Sequence, residues 1–304
     1  MRPLLWPLGA VAAFLLLTSA CGPQGAGFTL PGPSKAWHIH GLALDPSDPK
    51  TLWVATHTGL VRWREGKGWE VAGPPDDYMG FTVFPKEGGP LYRSGHPGPG
   101  TEKPNPLGLE VSRNGQDWLT ISGAGQFDFH ALTVSPADPL IIYGYNVVGA
   151  AGLYRSGDGG RTWAFLGRPE VAVYALAAHP TEPRTLLAAT GDGLLMSRRG
   201  GEKASWEPIL LGSPVTAVAY HASDPQGVLA FAVGNGLLQS RDGGRSWERL
   251  GLALGPREAV LHIAPDPSSQ RLFVATSTAS LYISANGGRT WGVVLKGGRG
   301  SAAP

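Results

Sequence analysis

The side chains able to do chemistry are gathered in the first half of the chain. Five of the eight histidines stand there, as His38, His40, His57, His96 and His130. Met79 lies among them, and Asp77 and Asp128 each precede a member of the set by two residues. Imidazole binds copper, zinc, iron and nickel, and a thioether prefers copper, above all Cu(I). A carboxylate beside such a ligand either coordinates directly or fixes the imidazole tautomer from behind. The pattern therefore suggests a transition-metal site with His40, Met79 and His130 as core ligands. His57 and His96 come next, then His38. Asp77, Asp128 and Tyr174 are expected in the surrounding shell, and Tyr143 and Tyr145 in the pocket wall. The only cysteine is Cys21, far from this group, which argues against a blue-copper centre built on a thiolate.

What must position these residues is a repeat. Ser156-Gly157-Asp158-Gly159-Gly160-Arg161-Thr162-Trp163 recurs as Ser240 to Trp247 and as Ser284 to Trp291, and weaker copies end at Trp69, Trp118 and Trp206. The six tryptophans are 49, 45, 43, 41 and 44 residues apart. Each unit reads as an apolar strand, a Pro/Asp turn, two further strands, the Gly-Gly turn and a last strand. A period of about 40–50 residues made of short strands predicts an all-β, six-bladed β-propeller with four antiparallel strands per blade. In the turn, Ser and Asp can bind backbone N–H groups and the glycines can take positive φ.

Aligning the first strand of each blade on its Pro turn sets His40, Met79 and His130 at one equivalent position. Tyr174, Thr216 and Leu261 take that position in blades four to six. Two residues earlier, on the same side of a strand, stand His38, Asp77 and Asp128, where the later blades carry Ala172, Pro214 and Ala259. The second strand runs back, so its end returns to the same face. That brings His57 and His96 to the same rim and places the Gly-Gly turns on the opposite one. Because the innermost strands border the central channel, three adjacent blades could share one ion. The alternatives are a metal-free ligand pocket and the polar, wet lining of an ordinary channel. His179, His221 and His262 show no such coincidence and read as structural or solvated.

The S-x-D-x-G-x-T-W turns resemble the Asp-box, or BNR repeat, of sialidases, sortilin-type receptors and a photosystem assembly factor. The resemblance covers most of residues 37–295 and implies the fold rather than an activity. His38-Ile39-His40-Gly41, Met79-Gly80-Phe81, Ser94-Gly95-His96-Pro97 and Asp128-Phe129-His130 are similar to motifs of a bacterial lipoprotein family labelled glycosyl hydrolase. That resemblance implies a glycan-binding or glycoside-hydrolysing propeller, in which Asp77 and Asp128 would be the carboxylate pair. The arginines fall mostly in the boxes and third strands (Arg155, Arg161, Arg241, Arg245, Arg289), away from the His rim where a sialidase-like carboxylate clamp would be needed. The photosystem factor implies a third role, assembly or adaptor scaffold, with a membrane or periplasmic protein as partner. The Pro/Gly-rich insertion at 97–106 adjoins His96 and reads as a rigid loop, or as a cover or partner contact over the rim.

The N-terminus supplies an address. Arg2, the apolar run from Leu4 to Leu17 and the small residues before Cys21 form a signal segment. Leu17-Thr18-Ser19-Ala20-Cys21-Gly22 resembles the bacterial lipobox, which implies lipidation of Cys21. The expected layout is a lipoprotein signal peptide over 1–20, a lipidated Cys and flexible tether over 21–36, the propeller over 37–295 and a disordered tail over 296–304. The protein would then act outside the cytoplasm, held at the bacterial membrane and monomeric. A net charge of +2 excludes a strongly basic nucleic-acid surface. Copper is the expected metal, with zinc or iron as alternatives.

Overall fold

A computed structural model describes residues 28–31, 37–221 and 223–300. Cys21, the signal segment and most of the tether lie outside the described residues. All named elements are strands, and they form six antiparallel sheets in which sequence neighbours pair from the inside outwards. The innermost strands are Ile39–Leu44, Asp77–Val83, Phe129–Val134, Val173–Ala178, Val215–His221 and Val260–Pro265. Each touches the innermost strand of the next blade, and the last touches the first, so the sheets close into a ring.

Second strands such as Thr51–Thr56 are buried along their whole length, because both of their faces pack against neighbouring blades. This is why they read as continuous apolar runs rather than as alternating ones. The Pro turns before them are tied by side chains. Asp45 accepts hydrogen bonds from the Ser47 and Asp48 amides and from the indole of Trp53.

The Gly-Gly turns act as staples. Ser156 Oγ accepts from the Asp158 and Gly160 amides, while Asp158 accepts from the Arg161 and Thr162 amides and the Thr162 hydroxyl. Asp242 repeats this geometry with Arg245 and Ser246. Gly159 and Gly160 have φ of 75° and 88°, so an L side chain there would be strained. The amide of Gly159 bonds to the Leu140 carbonyl at the Pro-turn end of the blade. The boxes therefore sit on the face opposite the histidines, as the strand directions require.

One irregularity recurs six times. The register between first and second strands slips by one residue at the same point of every blade. The residues left without a cross-strand partner are His40, Met79, His130, Tyr174, Thr216 and Leu261. A bulge of this kind twists the strand and re-aims one side chain. The six positions matched by sequence alignment are thus one structural position, a bulge at the mouth of the ring. The residue after each bulge is small in five blades. In blade one it is Gly41, where an added Cβ would lie 2.5 Å from Cβ of Phe81. In blade six it is His262, whose Nε2 stands 3.1 Å from the Ile39 carbonyl of blade one.

The ring seam uses both ends of the chain. The sixth sheet gains a fifth strand, Arg299–Gly300, and Thr29 bridges to Arg299 on its outer edge. Phe28 stacks on Trp69 at 4.8 Å, and Leu30 is buried in the core cluster shared by blades six and one. The tail expected from residue 296 is therefore ordered as far as Gly300, because its backbone completes a sheet edge. Phe28 to Leu30 packs along that edge and does not complete a blade.

Candidate metal centre

The bulges and strand ends bring eight titratable side chains to one rim of the ring: His38, His40, His57, Asp77, His96, Asp128, His130 and His262. Two groups within this set have metal-ligand geometry. In one, ligand atoms of His40, His57 and Asp77 all lie within 4.8 Å of one another; in the other, those of His96, Asp128 and His130 do. The sequence reading has one ion shared by His40, Met79 and His130. The structure instead divides the two histidines between neighbouring triads. Met79 occupies the bulge of the strand that also carries Asp77, in the blade between those of His40 and His130, and is half-buried. His38 is exposed, with its ring 6.1 Å from those of both His40 and His57, and belongs to neither triad.

The first triad is assembled from two blades. His40 Nε2 stands 3.1 Å from His57 Nδ1, which is 3.2 Å from Asp77 Oδ1. His57 is held just past the second strand by its amide, which bonds to the His38 carbonyl. Burial, then the neighbouring imidazoles of His262, His57, His38 and His130, push His40 down to about 3. His40 is therefore a neutral imidazole with a lone pair to offer, the form that binds metal.

The second triad joins blades two and three. Asp128 Oδ2 lies 3.0 Å from His130 Nε2 and 3.4 Å from His96 Nε2. The opposite nitrogen of His96, Nδ1, is 2.7 Å from Asn105 Oδ1 in the 97–106 loop. An amide oxygen can only accept, so Nδ1 is the donor in that bond and Nε2 is the nitrogen turned toward Asp128. Lys103 and the Gly98 amide anchor the same loop to Asp76. The insertion thus orients a ligand from behind.

Asp128 is 2 % exposed, and its Oδ1 accepts no hydrogen bond among the described residues; Asp77 is half-buried, with its Oδ1 facing the ring nitrogen of His57. Buried carboxylate oxygens are normally satisfied. Burial pushes the Asp77 carboxyl up; His57 and His96 oppose this, and Asp128 adds to it. The two carboxylates are therefore close enough to feel each other, and cations at the triads would relieve both.

Tyr174 stands 48 % exposed at the channel mouth. Tyr143 and Tyr145 do not line it. Tyr143 is fully buried between blades three and four, with its hydroxyl donating to the Pro183 carbonyl, and Tyr145 packs against the same core. His179 is a turn residue whose Nδ1 accepts from the Thr181 and Glu182 amides, and His221 pairs with Ser223. His262 belongs to the rim after all, beside His40. The sequence reading missed it and Asn105. His262 sits one residue past its blade's bulge, and Asn105 lies in a loop that no repeat position marks.

No family model and no curated protein matches the chain. Solved structures do. A GH74 xyloglucanase from Xanthomonas campestris superposes with a TM-score of 0.56 at 18% identity, over 84% of this chain and 45% of its own. A GH74 enzyme from Niastella koreensis gives 0.55 at 15%, over 83% and 46%. YCF48 bound to D1 peptide gives 0.51 at 16%, over 88% and 83%. The chain spans less than half the length of the GH74 enzymes. These likenesses establish the propeller fold and no activity.

Proposed function

We propose that this protein binds first-row transition-metal ions at the His rim, one in each triad, to capture or relay them. The observation that carries the reading is the pair of aspartates, each grouped with two imidazoles at metal-ligand spacing, together with the buried Asp128 Oδ1 that accepts no hydrogen bond among the described residues. A His₂-carboxylate set suits copper, zinc, iron or nickel, and copper binds most tightly in the divalent series. Met79, at the bulge between the two triads, adds a thioether that favours copper. Lipidation of Cys21 would hold the site at a bacterial membrane, outside the cytoplasm. Elemental analysis of untagged protein, followed by copper titration, tests the reading. Two tight equivalents are expected, both lost in His40→Ala/His130→Ala. Undiminished binding in that variant would place the metal elsewhere.

The second reading is glycoside hydrolysis. It rests on the GH74 likeness and on Asp77 and Asp128, one of which is pushed toward the protonated form that a general acid needs. Turnover of a glycan panel that survives chelation and vanishes in Asp128→Asn would favour it over metal handling.

A further inference from the structure

The side chains that line the channel below the rim are mainly apolar. Two residues beyond each bulge stand Leu42, Phe81, Leu132, Leu176, Val218 and Ile263, one from each blade, all lining a single cavity. The next layer down is again largely aliphatic, and prolines ring the far mouth, with Asp45 and Ser268. Five of the six residues in the upper ring are between 7% and 9% exposed, whereas second-strand residues such as Leu52, Val54 and Leu186 are at 0%. The innermost strands therefore face a real lumen. Its volume is about 380 Å³, spread along strands of six or seven residues, roughly 20 Å of rise. That is an elongated cavity of ligand-pocket size. No lysine or arginine lines it. These side chains offer an apolar guest contact along the lumen, beside the open backbone edges of the innermost strands.

Two residues belong both to this wall and to the metal centre. His40 lines the channel and completes the first triad; His130 lines it and completes the second. A molecule lying in the bore thus ends against both ion sites. We propose that the channel binds one unbranched acyl chain, tail down the bore, with a carboxylate head coordinated at the rim. The length of the bore, roughly 20 Å, suits an extended chain. With no lysine or arginine in the wall and two aspartates at the rim, an anionic head is seated there by a cation held in the triads. The head-group half of the proposal therefore rests on the metal reading above, and the chain half does not.

The test uses dodecanoate and butyrate as probes, with zinc-loaded and metal-free protein, metal content being measured first. Dodecanoate is expected to bind the loaded protein one to one, at least tenfold tighter than butyrate and at least tenfold tighter than it binds metal-free protein. Ala175→Phe and Ala43→Phe, two wall positions in different blades, should each weaken dodecanoate at least tenfold while leaving metal content unchanged. Equal affinity for both chain lengths, or dodecanoate binding unaffected in both folded variants, would overturn the channel site. Tight, chain-length-dependent binding that ignores metal would overturn the seated head. Failure to load metal at all would refute the metal reading and the head together, and the chain-length comparison on metal-free protein would still decide the bore.

Discussion

Asp77 faces His96 directly across the two innermost strands of blade two, and the two residues belong to different triads. One backbone pair therefore joins both ion sites. Two cations held this close repel each other, so the second should bind more weakly than the first. Asp77→Asn is expected to leave one equivalent of metal, Asp128→Asn the other, and the double variant none, as read by elemental analysis and calorimetry. Two equivalents persisting in Asp77→Asn would show that its carboxylate is not a ligand.

His96 owes its orientation to Asn105. Outer partners of this kind typically change metal affinity about 10–100-fold when removed. Asn105→Ala should therefore weaken the ion at the second triad by that factor and spare the first. Asn105→Asp keeps an acceptor for the His96 Nδ1 proton and should restore binding. If both variants behave alike, Asn105 acts through loop structure and not through the tautomer.

The ring and the shared rim were legible because the Pro turns give an absolute register for every first strand. Counting back from the turn finds His40, Met79 and His130 without knowledge of the bulge they occupy. The division into two triads was not legible, since it depends on how far apart neighbouring blades splay at their mouths. Tyr143 misled because strand position alone does not say that its ring packs between blades and not into the lumen. The apolar lumen was hidden for the same reason. Leu42, Phe81 and Leu132 read as core, and only the closed ring shows that these innermost-strand side chains border a bore.

Beneath the rim, Arg93 is wholly buried between Asp76 and Glu110, 2.7 and 2.6 Å from their carboxylates, and lies over Tyr78 and Trp118. Arg93→Met strands two buried acids, a change that typically costs about 3–5 kcal/mol. Thermal melting should fall by roughly 10 °C. Because Asp76 adjoins Asp77 and anchors Lys103, metal affinity should fall as well. Replacing Asp76 and Glu110 by Leu in the same protein should recover part of the melting temperature but not the metal affinity. Recovery of both would mean that the network plays no part in holding the site.

The ring seam predicts an acid sensitivity of its own. Asp266 is fully buried; burial alone would push its carboxyl up, but hydrogen bonds from Ser268, Ser269 and Arg271 outweigh this and hold it at about 2. Arg271 also reaches Glu65 and the Pro49 carbonyl of blade one, so this carboxylate organises the contact that closes the ring. An aspartate with its folded value below the ordinary 3.8 stabilises the fold above pH 4, and that contribution fades as pH falls from about 4 to 2. The contribution is on the order of 2 kcal/mol. Asp266→Asn should melt lower than the native protein at pH 7, and the gap should narrow steadily below pH 4. Melting curves that stay parallel down to pH 2 would show that the seam does not depend on this charge. Leu30→Ala, which opens the same seam from its apolar side, should lower the melting temperature at every pH without changing that slope, since no proton is involved.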